Sequence, residues 1–206
     1  MNLLRGRSCN RFCVLVDDHI VNAYELLDAG DGRRLERFGD RVVDRPAPGA
    51  TEPARNLSAW AAVDLRFETG VGWRGEVRPW TVTLDGLTFE LRPTTSGQVG
   101  LFPEQTPNWQ WLREHITPAA EVLNLFGYTG GSTLVSAAMG TRVVHVDAAR
   151  PAVAWARRNA ELSDFGDRPI RWIVDDAEAF VRREARRDRR YDAIVLDPPS
   201  YGRGPR

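Results

Sequence analysis

The stretch Val122-Leu-Asn-Leu-Phe-Gly-Tyr-Thr-Gly-Gly-Ser132, followed by Val143-Val-His-Val-Asp147, constrains the fold of this chain more than any other. Its apolar run reads as a buried strand that breaks into a loop holding Gly127, Gly130 and Gly131. Ser132 offers a helix N-cap, and the spacing predicts a short helix over Thr133–Met139 stopped by Gly140. A second apolar run ends in an acid, Asp147, twenty positions after Gly127. That is the layout of a nucleotide-type cofactor site: glycines let backbone approach the ligand, and the acid accepts hydrogen bonds from ribose hydroxyls. The spacing G-x-x-G-G departs from G-x-G-x-x-G, which suits a pyrophosphate on a helix N-terminus. A cofactor without phosphates does not need that geometry.

From about Asn108 onward helices and strands alternate. Trp109–His115 reads as a short helix before Pro118. Strands are expected at Val122–Phe126, Arg142–Val146, Ile170–Val174 and Tyr191–Leu196, with further helices at Pro151–Leu162 and Ala177–Arg187. Pro151 suits a first helical turn. Apolar strands separated by helices imply a parallel sheet covered on both faces. Three of the strands run into acids, at Asp147, Asp175/Asp176 and Asp197, along the edge where ligands of open α/β sheets sit. The part up to about Pro93 reads instead as β-rich. Thr81–Leu84, Asp85-Gly86 and Leu87–Leu91 form a hairpin pattern with a two-residue turn. Ala59–Phe67 offers another strand, Tyr24–Leu27 a shorter one, and Pro46-Ala-Pro-Gly a connecting loop. The expected organisation is a small β-rich segment over 1–93 and an incomplete Rossmann-like α/β domain over 94–206.

At 206 residues, 42% hydrophobic and 27% charged, the composition is that of an ordinary globular protein with material for a core. No run approaches the roughly 18 apolar residues of a membrane span, and the first sixteen residues lack the features of a signal peptide. Cys9 and Cys13 are the only cysteines; two close thiols without partners make neither a zinc site nor a disulfide framework, so a reduced, cytoplasmic protein is expected and no metal. All 28 cations are Arg. With 28 acids against them the net charge is zero, which argues against gripping nucleic acid through bulk charge alone. The densest cluster, Arg182, Arg183, Arg186, Arg187, Arg189 and Arg190, reads as a solvated helix face.

After the fourth strand comes Asp197-Pro-Pro-Ser-Tyr-Gly-Arg-Gly204. Two prolines fix φ and remove two donors, so this loop is stiff and presents carbonyls. An acid, rigid carbonyls and Tyr201 make a slot suited to a flat, donor-bearing ring. With this loop the chain resembles the class I S-adenosylmethionine-dependent methyltransferases. The resemblance implies that Phe126, Gly127, Tyr128, Thr129, Gly130 and Gly131, with Asn124 before and Ser132 after, cradle the methionine part of S-adenosylmethionine. It further implies that Asp147 with Ala148 holds the ribose, that Asp175, Asp176 and Ala177 meet the adenine, and that Asp197, Pro198, Pro199 and Tyr201 face the acceptor. More narrowly, Gln98-Val-Gly-Leu-Phe-Pro-Glu-Gln105 ahead of the glycine loop is similar to the large-subunit rRNA methyltransferases acting on cytosine C5 or guanine N7, which also carry a β-rich segment before the catalytic domain. In that reading Phe102, Glu104 and Gln105 close over the cofactor, and the partner is RNA.

Two departures bear on this reading. Cytosine C5 chemistry needs a cysteine that adds to C6; none stands near Asp197, so the residues lean towards a ring nitrogen, where alignment suffices. Family members also continue past the acceptor loop with three further strands. On that count the chain reads as C-terminally truncated, with the fourth strand an exposed apolar edge available for self-association. Competing readings are a nicotinamide-dependent oxidoreductase on the same glycine loop, and a truncated module that binds cofactor without chemistry. His19, His115 and His145 read as structural, Trp109, Trp111, Trp155 and Trp172 as packing residues, and Arg157, Arg158 and Asn159 as a solvent-facing stretch of helix.

Overall fold

The structure, a computed structural model, describes residues 23–199. The chain divides into two compact units: one runs up to Gly86 and takes in Leu91–Gly100, the other comprises Leu87–Glu90 and the chain from Leu101 onward. Cys9, Cys13, His19 and the acceptor-loop residues Ser200 and Tyr201 lie outside the described residues.

The first unit is built on a five-stranded sheet in the order β1 (Tyr24–Gly30), β2 (Arg33–Phe38), β3 (Arg41–Pro46), β4 (Leu65–Glu68), β5 (Gly72–Gly75). Neighbours are antiparallel except the β3–β4 pair. Tyr24–Leu27 was expected as a strand and extends to Gly30. Ala59–Phe67 was expected as one strand; it is a 3-10 turn over Ala59–Ala61 and then β4. Strands β2, β3 and β5 were not anticipated. Arg33-Arg-Leu-Glu-Arg-Phe38 and Arg41-Val-Val-Asp-Arg-Pro46 look polar, yet their charges neutralise one another inside the unit. The buried Arg45 guanidinium donates from Nε to Glu36 Oε2 at 2.6 Å and from its NH1 nitrogen to Gln98 Oε1 at 2.8 Å. Asp44, fully buried, is flanked by Arg33 at 2.6 Å and Arg66 at 2.8 Å. Paired and hydrogen-bonded, these ions are tolerated among Leu35, Phe38, Val43 and Leu65. The hairpin expected around Asp85-Gly86 is present as β6 (Trp80–Leu84) and β7 (Leu87–Leu91), its turn residues both at positive φ.

The second unit contains α1 (Thr106–His115), β8 (Glu121–Leu125), α2 (Gly131–Ala138), β9 (Arg142–Asp147), α3 (Arg150–Leu162), β10 (Ile170–Val174), α4 (Ala177–Arg186) and β11 (Ala193–Leu196). Helices start where their first turns are satisfied: Pro107 and Pro151 sit in the first turns of α1 and α3, and the Asp176 carboxylate accepts from Ala179 N–H at 2.8 Å to cap α4. The sheet is parallel throughout, in the order β10-β9-β8-β11. Successive residues of β8 face opposite ways. Leu123 and Leu125 pack with Val146 against Ala177 and Phe180 of α4, while Asn124 reaches Thr133 of α2. The order reverses after β10, so β11 lands on the far side of β8 and creates a switch point between β8 and β11. Among the described residues β11 pairs only with β8, and its Ile194 and Leu196 are 61% and 60% exposed.

Candidate functional site

All four strands of the parallel sheet point their C-terminal ends to one edge, which is where the loop after β8 crosses. Its backbone is unusual: Phe126 (φ 56°), Tyr128 (φ 48°) and Gly130 (φ 91°) all lie in the left-handed region, costly for the two non-glycine residues. Neighbours pin the loop in place. Gly127 N–H donates to Val146 O at 3.0 Å, and Tyr128 N–H donates to Asp147 Oδ2 at 2.9 Å. The Thr129 carbonyl accepts from Asn159 Nδ2 at 2.9 Å, and Asn159 Oδ1 in turn accepts from Glu90 N–H at 2.9 Å. Asn159 is therefore fully buried, not on a solvent-facing stretch as the sequence suggested. Helix periodicity places it with Ala152, Val153, Trp155, Ala156 and Ala160 on the inner face of α3, and that phase was the available signal.

Two glycines are required by close approach. A Cβ on Gly127 would lie 2.4 Å from Cε1 and 2.5 Å from Nδ1 of His145, and a Cβ on Gly131 would lie 2.6 Å from Cζ2 of Trp109. Gly130, left-handed, is the N-cap of α2. Ser132, expected at the cap, instead lies inside the first turn, where its Oγ accepts from Trp109 Nε1 at 3.2 Å. The helix can begin this early because glycine reaches a backbone conformation that Ser132 would resist.

Beneath the loop runs a buried polar chain. Asn124 Nδ2 donates to Thr133 Oγ1 at 2.8 Å, and Thr133 Oγ1 lies 2.8 Å from His145 Nδ1. His145 is completely buried, its Nε2 has no hydrogen-bond partner among the described residues, and desolvation lowers its pKa to about 4, so the ring is neutral at physiological pH. The sequence reading of His145 as structural covered its burial; it did not foresee the link through Thr133 to Asn124, which lines a cavity.

That cavity opens at the switch point and encloses about 60 Å³ before merging with solvent. Its lining includes Phe102 and Gln105 ahead of and at the start of α1, Asn124 and Phe126–Thr129 from β8 and the loop after it, and Val195 and Asp197 from β11 and its end. Asp197 Oδ2 accepts from Gln105 Nε2 at 2.9 Å, and Gln105 Oε1 accepts from Asn108 Nδ2 at 2.6 Å, so the amide is held in one orientation. The Phe102 and Tyr128 rings approach with centroids 5.5 Å apart. Of the residues singled out in the sequence, Phe102, Gln105, Asn124, Phe126, Gly127, Tyr128, Thr129, Gly131, Ser132 and Asp197 line this one cavity, while Glu104 does not. Leu101, Trp109 and Val195 line it as well and were not anticipated there. Trp111, expected as a packing residue, is 55% exposed and stacks on His115 with centroids 4.1 Å apart.

Beyond the cavity wall the acids continue along the same edge. Asp147 accepts one backbone N–H on each oxygen, Tyr128 on Oδ2 and Ala149 on Oδ1 (2.8 Å), and Asp175 N–H donates to the Asp147 carbonyl at 3.1 Å. Asp175 is ion-paired with Arg183, Asp176 caps α4, and Ala177 is buried in the α4 core cluster. Pro198 and Pro199 are exposed past the end of β11. Each Asp147 oxygen keeps one lone pair. The carboxylate can therefore take two more donors from a vicinal diol without giving up the loop. The residues present thus fit an adenosyl cofactor: a glycine cradle against the sheet edge, and a diol acceptor one strand away.

The family model for S-adenosylmethionine-dependent methyltransferases matches residues 37–205. Among curated relatives, the chain is 40% identical over 208 aligned positions to the ribosomal RNA large subunit methyltransferase I of Escherichia coli, covering 88% of this chain and 52% of that protein. It is 27% identical over 182 positions to the protein of the same name from Vibrio vulnificus, covering 86% and 45%. Among solved structures, an S-adenosylmethionine-dependent methyltransferase from Agrobacterium tumefaciens superposes with a TM-score of 0.82 at 41% identity, over 88% of this chain and 62% of that one. The chain spans about half the length of the curated relatives it matches. No helix among the described residues is long and apolar enough to cross a membrane.

Proposed function

Since the chain belongs to the family of S-adenosylmethionine-dependent methyltransferases, the nicotinamide reading falls away, and we propose that the protein methylates a base of ribosomal RNA. The observation that carries the proposal is one juxtaposition: the strained glycine loop and Asp197 line a single cavity at the switch point of the sheet. The curated relatives are named for the large ribosomal subunit, which supports RNA as substrate and a cytoplasmic place of action. Residues 94–206 are in our reading the catalytic domain, with 1–93 a β-rich segment ahead of it.

The residues divide the work by position. Gly127, Gly130 and Gly131 let the loop pack tightly onto His145, Ala156 and Trp109, which sets the Phe126–Ser132 backbone as the seat for the ligand. Asn124, turned by Thr133, presents its amide to the floor. Asp147 receives the ribose diol together with the Ala148 backbone, and Asp175, Asp176 and Ala177 border the adenine. Phe102, which lines the cavity, and Glu104, which does not, close over the cofactor in this reading. The bound cofactor supplies an electrophilic methyl group on a sulfonium. Asp197, oriented by Gln105, accepts a donor hydrogen bond from the acceptor base and turns its ring towards that methyl. Pro198 and Pro199 keep the loop stiff, and Tyr201 offers a face for the ring to stack on. The gain asked of these residues is alignment.

Calorimetric titration of the purified chain with S-adenosylhomocysteine tests the cofactor half of this reading. Micromolar binding, weakened at least tenfold by Asp147→Asn (about 1.4 kcal/mol), is expected; a folded protein that binds NAD but not S-adenosylhomocysteine would sink it. Transfer of a labelled methyl group to undermodified large-subunit rRNA, abolished by Asp197→Ala, tests the substrate half.

A further inference from the structure

At the opposite edge of the same sheet, where β8, β9 and β10 begin, the surface forms a groove of about 370 Å³ lined by Arg142, Arg168, Arg171, Arg189 and Glu121, with Val143, Val144, Pro169 and Ile170 as its floor. The one carboxylate in this lining is shared. Glu121 Oε1 lies 3.3 Å from Arg142 Nε, and its Oε2 lies 3.1 Å from the Arg189 NH2 nitrogen. Arg168 and Arg171 are exposed and have no carboxylate within 4 Å among the described residues. The Arg168 guanidinium lies 5.0 Å over the Phe165 ring, and Arg171 acts on the buried Glu184 only at longer range. Behind the groove Glu184 is already engaged by Arg187 at 3.3 Å and by the Tyr191 hydroxyl at 2.6 Å, and Asp192 accepts the Glu121 N–H at 2.8 Å. Four guanidiniums thus line the groove with one carboxylate, Glu121, which is paired with two of them, and of the two acids nearby Glu184 is held by Arg187 and Tyr191 and lies 4.0 Å from Arg189, while Asp192 accepts the Glu121 N–H.

We propose that this groove binds the phosphate backbone of RNA flanking the nucleotide to be modified. This rests on the reading of the chain as an RNA methyltransferase. The choice of Arg over Lys carries no information in a chain without lysine; the argument lies in the placement. An open groove with separated cations suits a strand of successive phosphates better than a single free anion. Its distance suits a substrate longer than one nucleotide: five residue steps of β9, about 16 Å, separate Arg142 from Asp147. Contacts at this range position the strand and carry no sequence information.

Fluorescence anisotropy of a labelled single-stranded RNA with the full chain, across a salt series, tests the groove. Arg168→Ala/Arg171→Ala removes two unpaired exposed cations and leaves the fold's ion pairs intact. Arg182→Ala/Arg186→Ala on the outer face of α4 removes the same charge elsewhere. The groove variant is expected to lower the slope of log K against log salt by about 1.4 and the affinity at 0.1 M salt about 25-fold, both from the loss of two phosphate contacts to a single strand, with a much smaller effect of the control. Equal losses in both variants would overturn the proposal, because net charge alone would then account for them. So would saturation of the groove by inorganic phosphate with RNA affinity insensitive to Arg168 and Arg171, or displacement by a polyglutamate peptide as effective as by unlabelled RNA. Titration of the same variants with S-adenosylhomocysteine separates the two readings. Intact binding with an unchanged salt slope removes the groove and leaves the methyltransferase assignment standing, whereas failure of the unmodified chain to bind it removes that assignment and leaves the RNA measurement to decide the groove.

Discussion

Replacing Gly127 by alanine isolates the close packing under the cofactor loop. The φ of Gly127 is not in the left-handed region, so the substitution carries no backbone strain of that kind, and its whole cost is steric. The new methyl group would sit 2.4 and 2.5 Å from two atoms of the His145 ring, about an ångström inside an ordinary contact. The ring has little room to retreat: Thr133 Oγ1 holds its Nδ1 at 2.8 Å and the Trp172 ring stands against it with centroids 4.9 Å apart. Overpacking of this kind costs about 1–3 kcal/mol, and the upper half of the range is expected because the obstacle is a rigid, fully buried ring. His145→Ala alone opens a cavity and removes one of the two partners of the Thr133 hydroxyl, at a cost of about 3 kcal/mol. Combining the two places the new methyl group in the space the ring has left. The double variant should therefore be less destabilised than the sum of the singles, by about 2 kcal/mol. Urea unfolding of the four proteins measures this coupling, and S-adenosylhomocysteine affinity should fall in Gly127→Ala and recover in part in the double variant. Additive destabilisation to within about 0.5 kcal/mol would refute the reasoning, since it would mean the ring and the glycine do not share that space.

Three other perturbations follow from the same geometry. Asn159→Ala removes a buried amide that bonds both the Thr129 carbonyl and the Glu90 N–H; a loss of about 2–4 kcal/mol is expected as a lower urea midpoint at unchanged m-value, and a shift of less than about 0.5 kcal/mol would contradict the pairing. His145 has its pKa lowered from 6.5 to about 4 by burial, so the folded protein disfavours the proton that the unfolded chain accepts. Its contribution is fully present above pH 6.5 and is lost as the pH falls from 6.5 towards 4, by on the order of 3 kcal/mol in all. The difference in stability between the parent and His145→Gln, followed across that window, should shrink towards acid, and a constant difference would show that the ring does not titrate in this way. Ile194→Lys charges the exposed edge of β11; sedimentation velocity should show less concentration-dependent association than in the parent, with S-adenosylhomocysteine affinity unchanged.

What could be read from the amino acids was set by how locally each feature is encoded. The strands β8 to β11 and helices α3 and α4 announce themselves because each is a contiguous apolar or amphipathic run closed by a cap, a proline or an acid. Strands joined through helical crossovers run parallel, and that direction brings Asp147, Asp175 and Asp197 to one edge. Strands β2 and β3 were missed for the opposite reason. Glu36 and Arg45 sit nine residues apart and Arg33 and Asp44 eleven, but only strand pairing shows that they meet, and Arg66 and Gln98 complete the set from far along the chain. The same distinction runs through the candidate site. Gly127, Gly130 and Gly131 are visible as glycines, but only the fold shows that they answer to different neighbours: an imidazole from β9, a left-handed cap, and an indole from α1. The rest of the lining is more non-local still, because Gln105 meets Asp197 across 92 residues. That bond gives the acid a reason to face the glycine loop, and it converts two motifs that were separately suggestive into one cavity with a floor, a lid and an oriented carboxylate.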